Sequence, residues 1–216
     1  MNYDVDGLYI GLGIDEGIAY SKESRRYSEE FAEKQKLNLH IVEVAQEFNN
    51  TIPQLAKRSE RGRGKPCSVC GLTKRHIMNQ VATNEHYDAL VTGHNLDDEA
   101  ATLFNNTLNW TTGYLQRQSP ILESTHPGLV RKAKPFCRFS ERETAAYAFL
   151  RGIQYIYDEC PHAIGAKSIY NKELLNQLEA NRPGAKLSFY LSFLKAKENG
   201  FFTQQEVTNN FILNTC

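Results

Sequence analysis

Tyr87–Ala100 reads YDALVTGHNLDDEA, and this stretch decides the fold. Tyr87–Thr92 (YDALVT) is a short apolar run with polar neighbours, which predicts a buried strand. Gly93-His94-Asn95 breaks the run, and Asp97–Trp110 then follows helical spacing. A strand that passes through a glycine turn into a helix is one half of a β-α-β unit. On its N-terminal side, Gly71–Glu85 reads as a further helix. Further back, Asp6–Leu12 (DGLYIGL) and Asn38–Val44 (NLHIVEV) read as strands. Between them Ser21–Lys36 is charged, lacks Gly and Pro, and places Tyr27, Phe31 and Ala32 on one helical face. Strands alternating with helices predict an α/β fold, a parallel sheet flanked by helices on both faces.

Beyond Trp110 the pattern loosens. Gly113, Pro120, Pro127-Gly128 and Pro135 predict a long irregular connection. Glu141–Arg151 returns as a helix with Ser140 as its N-cap, and Gln154–Tyr157 is expected to be a last short strand. From Asn171 the pattern is helical, broken at Pro183-Gly184, with Phe189, Tyr190 and Phe193 packing inward. One domain over residues 1–216 is expected, with 170–216 as its helical C-terminal extension.

Of the 216 residues 41% are apolar and 23% charged, with 25 basic against 25 acidic side chains. These values fit an ordinary globular chain and exclude a disordered or highly basic coat protein. No run of about 18 apolar residues is present to span a bilayer, so no membrane association is expected. The first residues lack the basic and apolar regions of a secretory signal, so a reducing cytoplasm, where thiols stay free as ligands, is expected. Lys57, Arg58, Arg61, Arg63 and Lys65 form a basic stretch among glycines, read either as a solvated loop or as a phosphate-contacting one.

Chemistry concentrates in two motifs. Cys67-Ser68-Val69-Cys70 puts two thiols three positions apart at the start of a helix, able to converge on one ion or cluster and equally compatible with half a zinc site, a redox pair or two unrelated cysteines. Cys160, in Glu159-Cys160-Pro161-His162, can approach them from elsewhere in the fold. Three thiolates with a vacant corner suit a reactive cluster better than a closed structural zinc. His162 is an alternative fourth ligand, Cys137 reads as a buried small hydrophobe, and Cys216 is the last residue. In Gly93-His94-Asn95-Leu96-Asp97-Asp98-Glu99-Ala100, the glycine would let backbone approach a nucleotide at the end of a parallel strand, and Asp97 or Asp98 could hold magnesium. The plainer reading is an Asx cap with acids complementing the helix dipole.

Together with Lys74-Arg75 and Arg131-Lys132-Ala133-Lys134-Pro135, these motifs resemble the tRNA 2-thiouridine synthetases of the PP-loop ATPase superfamily, in particular the branch acting on the T-loop uridine. The resemblance implies an adenine-nucleotide α-hydrolase-like fold and an ATP-dependent tRNA uridine 2-sulfurtransferase. It implies that Cys67, Cys70 and Cys160 hold a [4Fe–4S] cluster. Lys74 then lies near the ATP phosphates as a catalytic and nucleotide-binding residue, Gly93 and Ile10 border the nucleotide, and Asp98 is catalytic. ATP and magnesium are the implied cofactors. The implied partners are tRNA, a ubiquitin-like sulfur carrier with a C-terminal thiocarboxylate, and a second copy in a homodimer. The family's Ser-Gly-Gly-x-Asp-Ser loop and terminal zinc segments do not occur in the sequence. The chain is therefore expected to start after the first strand, to lack that strand from mid-sheet, and to turn over ATP weakly alone. Two other readings stay open: a cluster- or zinc-carrying RNA-binding module without ATP chemistry, and a PP-loop enzyme for another nucleobase.

Overall fold

The computed structural model describes residues 3–15, 19–60, 66–163 and 167–202. Strand β1 (Gly7–Gly11) pairs in parallel with β2 (Leu39–Glu43), Gly7 opposite Leu39 and Gly11 opposite Glu43. The crossover is α1 (Tyr20–Gln35), which turns its buried Ala32 inward and ends at Lys36 in the left-handed conformation. Two short helices follow, α2 (Val44–Phe48) and α3 (Ile52–Arg58). The start of α3 is fixed by a capping box between Thr51 and Gln54, with Pro53 in its first turn. Lys57 and Arg58 of the basic stretch are the last residues of α3; positions 61–65 lie outside the described residues.

Helix α4 (Pro66–Asn84) takes both Cys67 and Cys70 into its first turn and leads to β3 (Ala89–Val91). Helix α5 (Leu96–Leu108) ends two residues earlier than its spacing predicts, because Trp110 adopts a left-handed φ of 46°. The connection expected to be irregular carries α6 (Thr112–Arg117), β4 (Ile121–Leu122) and β5 (Arg131–Ala133). β5 pairs in parallel with β3 and antiparallel with β4. The strands thus form two small sheets, β1-β2 and β3-β5-β4, and α4 packs against both β1 and β3.

Helix α7 (Glu141–Leu150) starts at Ser140, whose hydroxyl accepts the Glu143 amide. Gln154–Tyr157 is not a strand: no neighbour offers it a ladder, and Tyr155 and Tyr157 instead stack with ring centroids 4.6 Å apart. A 3₁₀ turn at Pro161–Ala163 precedes α8 (Lys167–Asn181) and α9 (Ala185–Glu198), both packed on α5. Tyr190 is fully buried in a cluster with Leu96, Leu103, Leu115 and Cys137, and Phe189 and Phe193 pack against it as expected. A separate cluster, Val44, Ile52 and Ile77, lies under β1 and β2. Among the described residues no helix is long and apolar enough to cross a membrane.

Candidate functional site: a thiol turn beside an acid-capped helix

Pro66 opens α4, a position where its missing N–H is not needed and its fixed φ is already helical. Cys67 and Cys70 then sit one turn apart on one side of the helix. Cys67 is exposed, whereas Cys70 is half-buried against the Val44–Ile52–Ile77 cluster. The third thiol arrives from far along the chain. Cys160 precedes the 3₁₀ turn, where its carbonyl accepts the Ala163 amide at 2.8 Å, and that turn packs on α4. There Cys67 Sγ donates to the His162 carbonyl at 3.4 Å, so His162 meets the thiol through its backbone.

Burial pushes the Cys70 thiol up, Lys74 one turn on pulls it down, and Cys160 and Cys67 push it up again. Tyr20, the first residue of α1, is raised by burial and then by Cys160 and Cys70. It faces the same spot, and nothing in the sequence pattern marks it. Among the described residues no three His, Cys, Asp or Glu side chains stand close enough to hold a single ion. Three thiols are a soft donor set, of the chemistry that iron–sulfur centres take.

Of the other residues singled out from the sequence, Lys74 stands one helical turn beyond Cys70 and Ile10 shares its packing cluster. Lys74 is exposed, and no carboxylate pairs with it among the described ion pairs. Gly93 is exposed just past β3; a Cβ there would meet nothing within 4 Å, so the chain's own packing does not demand glycine. Ile10 is half-buried on β1 against the same cluster as Cys70.

The acidic motif resolves into three different environments at the start of α5. Asn95 and Asp98 form a reciprocal capping box, each side chain accepting the other's amide at 3.1 Å. Asp97 points inward, 3% exposed, and is bound by Lys186 Nζ at 2.5 Å and the Glu141 amide at 2.7 Å. Glu99 is also buried, paired with Lys134 Nζ at 2.7 Å and accepting from Tyr190 at 3.4 Å. Asp97 is therefore a strut between α5, α7 and α9, while Lys134 of the basic motif ties β5 to α5. Asp98, about 30% exposed, borders an open cleft of about 1040 Å³ that Asp97 also lines, together with Arg138, Arg142, Glu159, Lys172 and Lys186. Glu159 adjoins Cys160, so the cleft runs from Asp98 to the segment that carries the third thiol. Cys137 is buried beside Tyr190, away from the other thiols, and Cys216 lies outside the described residues.

No protein-family model matches the chain. It is 48% identical over 195 residues to the tRNA-5-methyluridine(54) 2-sulfurtransferase of Thermus thermophilus, covering 90% of this chain and 59% of that protein. It is 41% identical to the protein of the same name from Pyrococcus horikoshii, covering 92% and 61% respectively. It is 30% identical to the cytoplasmic tRNA 2-thiolation protein 1 of Dictyostelium discoideum, covering 94% and 54%. Among solved structures it is similar to the U34-tRNA thiolase NcsA from Methanococcus maripaludis with its [4Fe-4S] cluster. That likeness has a TM-score of 0.73 at 25% identity, covering 88% of this chain and 60% of that one. The α/β fold is thus that of a PP-loop ATPase-like thiolase. The chain spans less than two thirds of the length of these relatives.

Proposed function

We propose that this chain is the ATP- and sulfur-handling core of a tRNA uridine 2-sulfurtransferase. The observation that supports this reading is the packing of the 3₁₀ turn that follows Cys160 on the first part of α4, where Cys67 Sγ donates to the His162 carbonyl, with Lys74 one helical turn beyond Cys70. Cys67, Cys70 and Cys160 would hold a [4Fe–4S] cluster, which when bound supplies an iron site for incoming sulfur. Lys74 neutralises charge developing on the ATP phosphates, and Gly93 and Ile10 border the adenosine. Uridine O2 attacks the α-phosphorus with loss of pyrophosphate, and sulfur then attacks C2 with loss of AMP. Phosphorylation matters because an amide-like oxygen leaves poorly by itself. Asp98, the more exposed of the two aspartates that line the cleft, orients the base. Magnesium accompanies ATP through its phosphates, since a lysine already occupies Asp98. Sulfur reaches the site from a thiocarboxylated ubiquitin-like carrier.

The two relatives at 48% and 41% identity are both named for uridine 54, so a T-loop uridine is the target to look for first. Anaerobically reconstituted chain, in excess over tRNA with ATP and sulfide, is expected to yield a 2-thiolated uridine by mass spectrometry of digested tRNA. A cluster-loaded chain that binds tRNA but leaves every uridine unthiolated would reduce the protein to a binding module.

A further inference from the structure

Lys172 projects from α8 toward the first turns of α5 and α7. Its Nζ lies 2.8 Å from Asp98 Oδ1 and 3.1 Å from Glu141 Oε2. The other oxygen of Asp98 is taken by the Asn95 amide in the capping box. One ammonium thus stands between two carboxylates from different helices, where a divalent cation bridging them would otherwise sit. The cleft around it is otherwise rich in acid. Glu159 and Glu173 line it with no ion-pair partner among the described contacts, against Arg138 and Arg142. Both sides of the Lys172–Asp98 pair are about 30% exposed, so the pair is open to the cleft and shielded from bulk water.

We propose that Lys172 is the positioning residue of Asp98, its ammonium serving as the built-in cation of this acid site in place of a bound metal ion. The proposal rests on the reading of Asp98 as a residue of the sulfurtransferase, and it assigns the divalent requirement of that reaction to ATP alone. Burial works against the charge on Lys172, yet Asp98 and then Glu141 outweigh it and leave the lysine raised. An ammonium kept charged in this way fixes the carboxylate rotamer through the helix-packing contact of α8 on α5.

Manganese binding, read by electron paramagnetic resonance on the full chain, tests this without requiring thiolation. Lys172→Gln is expected to gain one manganese site with a dissociation constant of about 1 mM or tighter. That site should be lost in Lys172→Gln/Asp98→Asn and absent in Lys172→Arg, which keeps a cation in place. Manganese bound by the wild-type chain and released by Asp98→Asn would overturn the proposal, as would a folded Lys172→Gln that gains no ion. Lys172→Met serves as a second neutral variant should the glutamine chain not fold. Absence of tRNA thiolation would count against the proposed function and leave the manganese outcome intact.

Discussion

The first turns of α4 and α5 both carry a motif conspicuous in the sequence, yet they are built in opposite ways. At α5 nearly every polar group has a partner from this chain. Asp97 has Lys186, Glu99 has Lys134 and Tyr190, and Asp98 has Asn95 and Lys172. At α4, Cys67 makes one long contact to a carbonyl, and Lys74 stands exposed. The acid motif is therefore largely fold-building chemistry, and the thiol turn is what the fold has no use for. Groups left unpaired by a well-packed chain are the ones available to a ligand.

Breaking the saturated side should give the largest effect. Lys186→Met strands a buried Asp97 carboxylate, and urea unfolding is expected to show a loss of about 3–5 kcal/mol. A Lys186→Met variant as stable as wild type would mean that Asp97 is hydrated and the strut is not one.

A smaller effect is expected at Glu179, whose carboxylate accepts the Gly184 and Lys186 amides at the start of α9. Those bonds, the Lys186 amide first, hold its carboxyl below the usual range. A lowered folded value stabilises above the unfolded value of about 4.3 and loses that contribution as pH falls through the folded value. Glu179→Gln should therefore cost about 1 kcal/mol at neutral pH, and its gap from wild type should close below about pH 4. A gap that widens in acid would reverse the assignment.

Smallest of all should be the stability effects at the thiol turn. Cys67→Ser keeps a donor for the His162 carbonyl, and Lys74→Ala removes an exposed side chain with no ion-pair partner among the described residues; both are expected to stay within about 0.5 kcal/mol of wild type by thermal or urea unfolding. A loss of 2 kcal/mol at either position would erase the contrast between the two turns.

What could be read in the sequence follows the same division. The strand–turn–helix at Tyr87–Ala100, the β1–α1–β2 unit and the helical C-terminal part rest on local periodicity, and local periodicity is visible along a chain. The strand expected at Gln154–Tyr157 failed because a strand needs a neighbour, which no local pattern reports. β5 was hidden for the converse reason: Arg-Lys-Ala is an unpromising strand that gains its state from β3 and β4. Cys67, Cys70 and Cys160 stood out because cysteine spacing is distinctive, and the turn after Cys160 packs on α4. Lys134, Lys172 and Lys186 were not legible as partners of three consecutive acids. A lysine in a helical or loop segment carries no mark of the carboxylate it will meet, and Lys186 meets one 89 residues away. That Asp97 is buried under Lys186 while Asp98 stays partly exposed beside Lys172 is likewise set by α8 and α9, not by the motif.

The central claim is that Cys160 joins Cys67 and Cys70 in one sulfur-ligated centre, and iron uptake by the full chain and its Cys160→Ser variant tests it most directly. Anaerobic reconstitution of wild type should give about four iron and four sulfide per chain with a broad band near about 400 nm. Cys160→Ser should lose both, and Cys137→Ser, away from the site, should keep them. A Cys160→Ser chain that retains its iron and sulfide, or a wild-type chain that takes up zinc alone, would contradict the account.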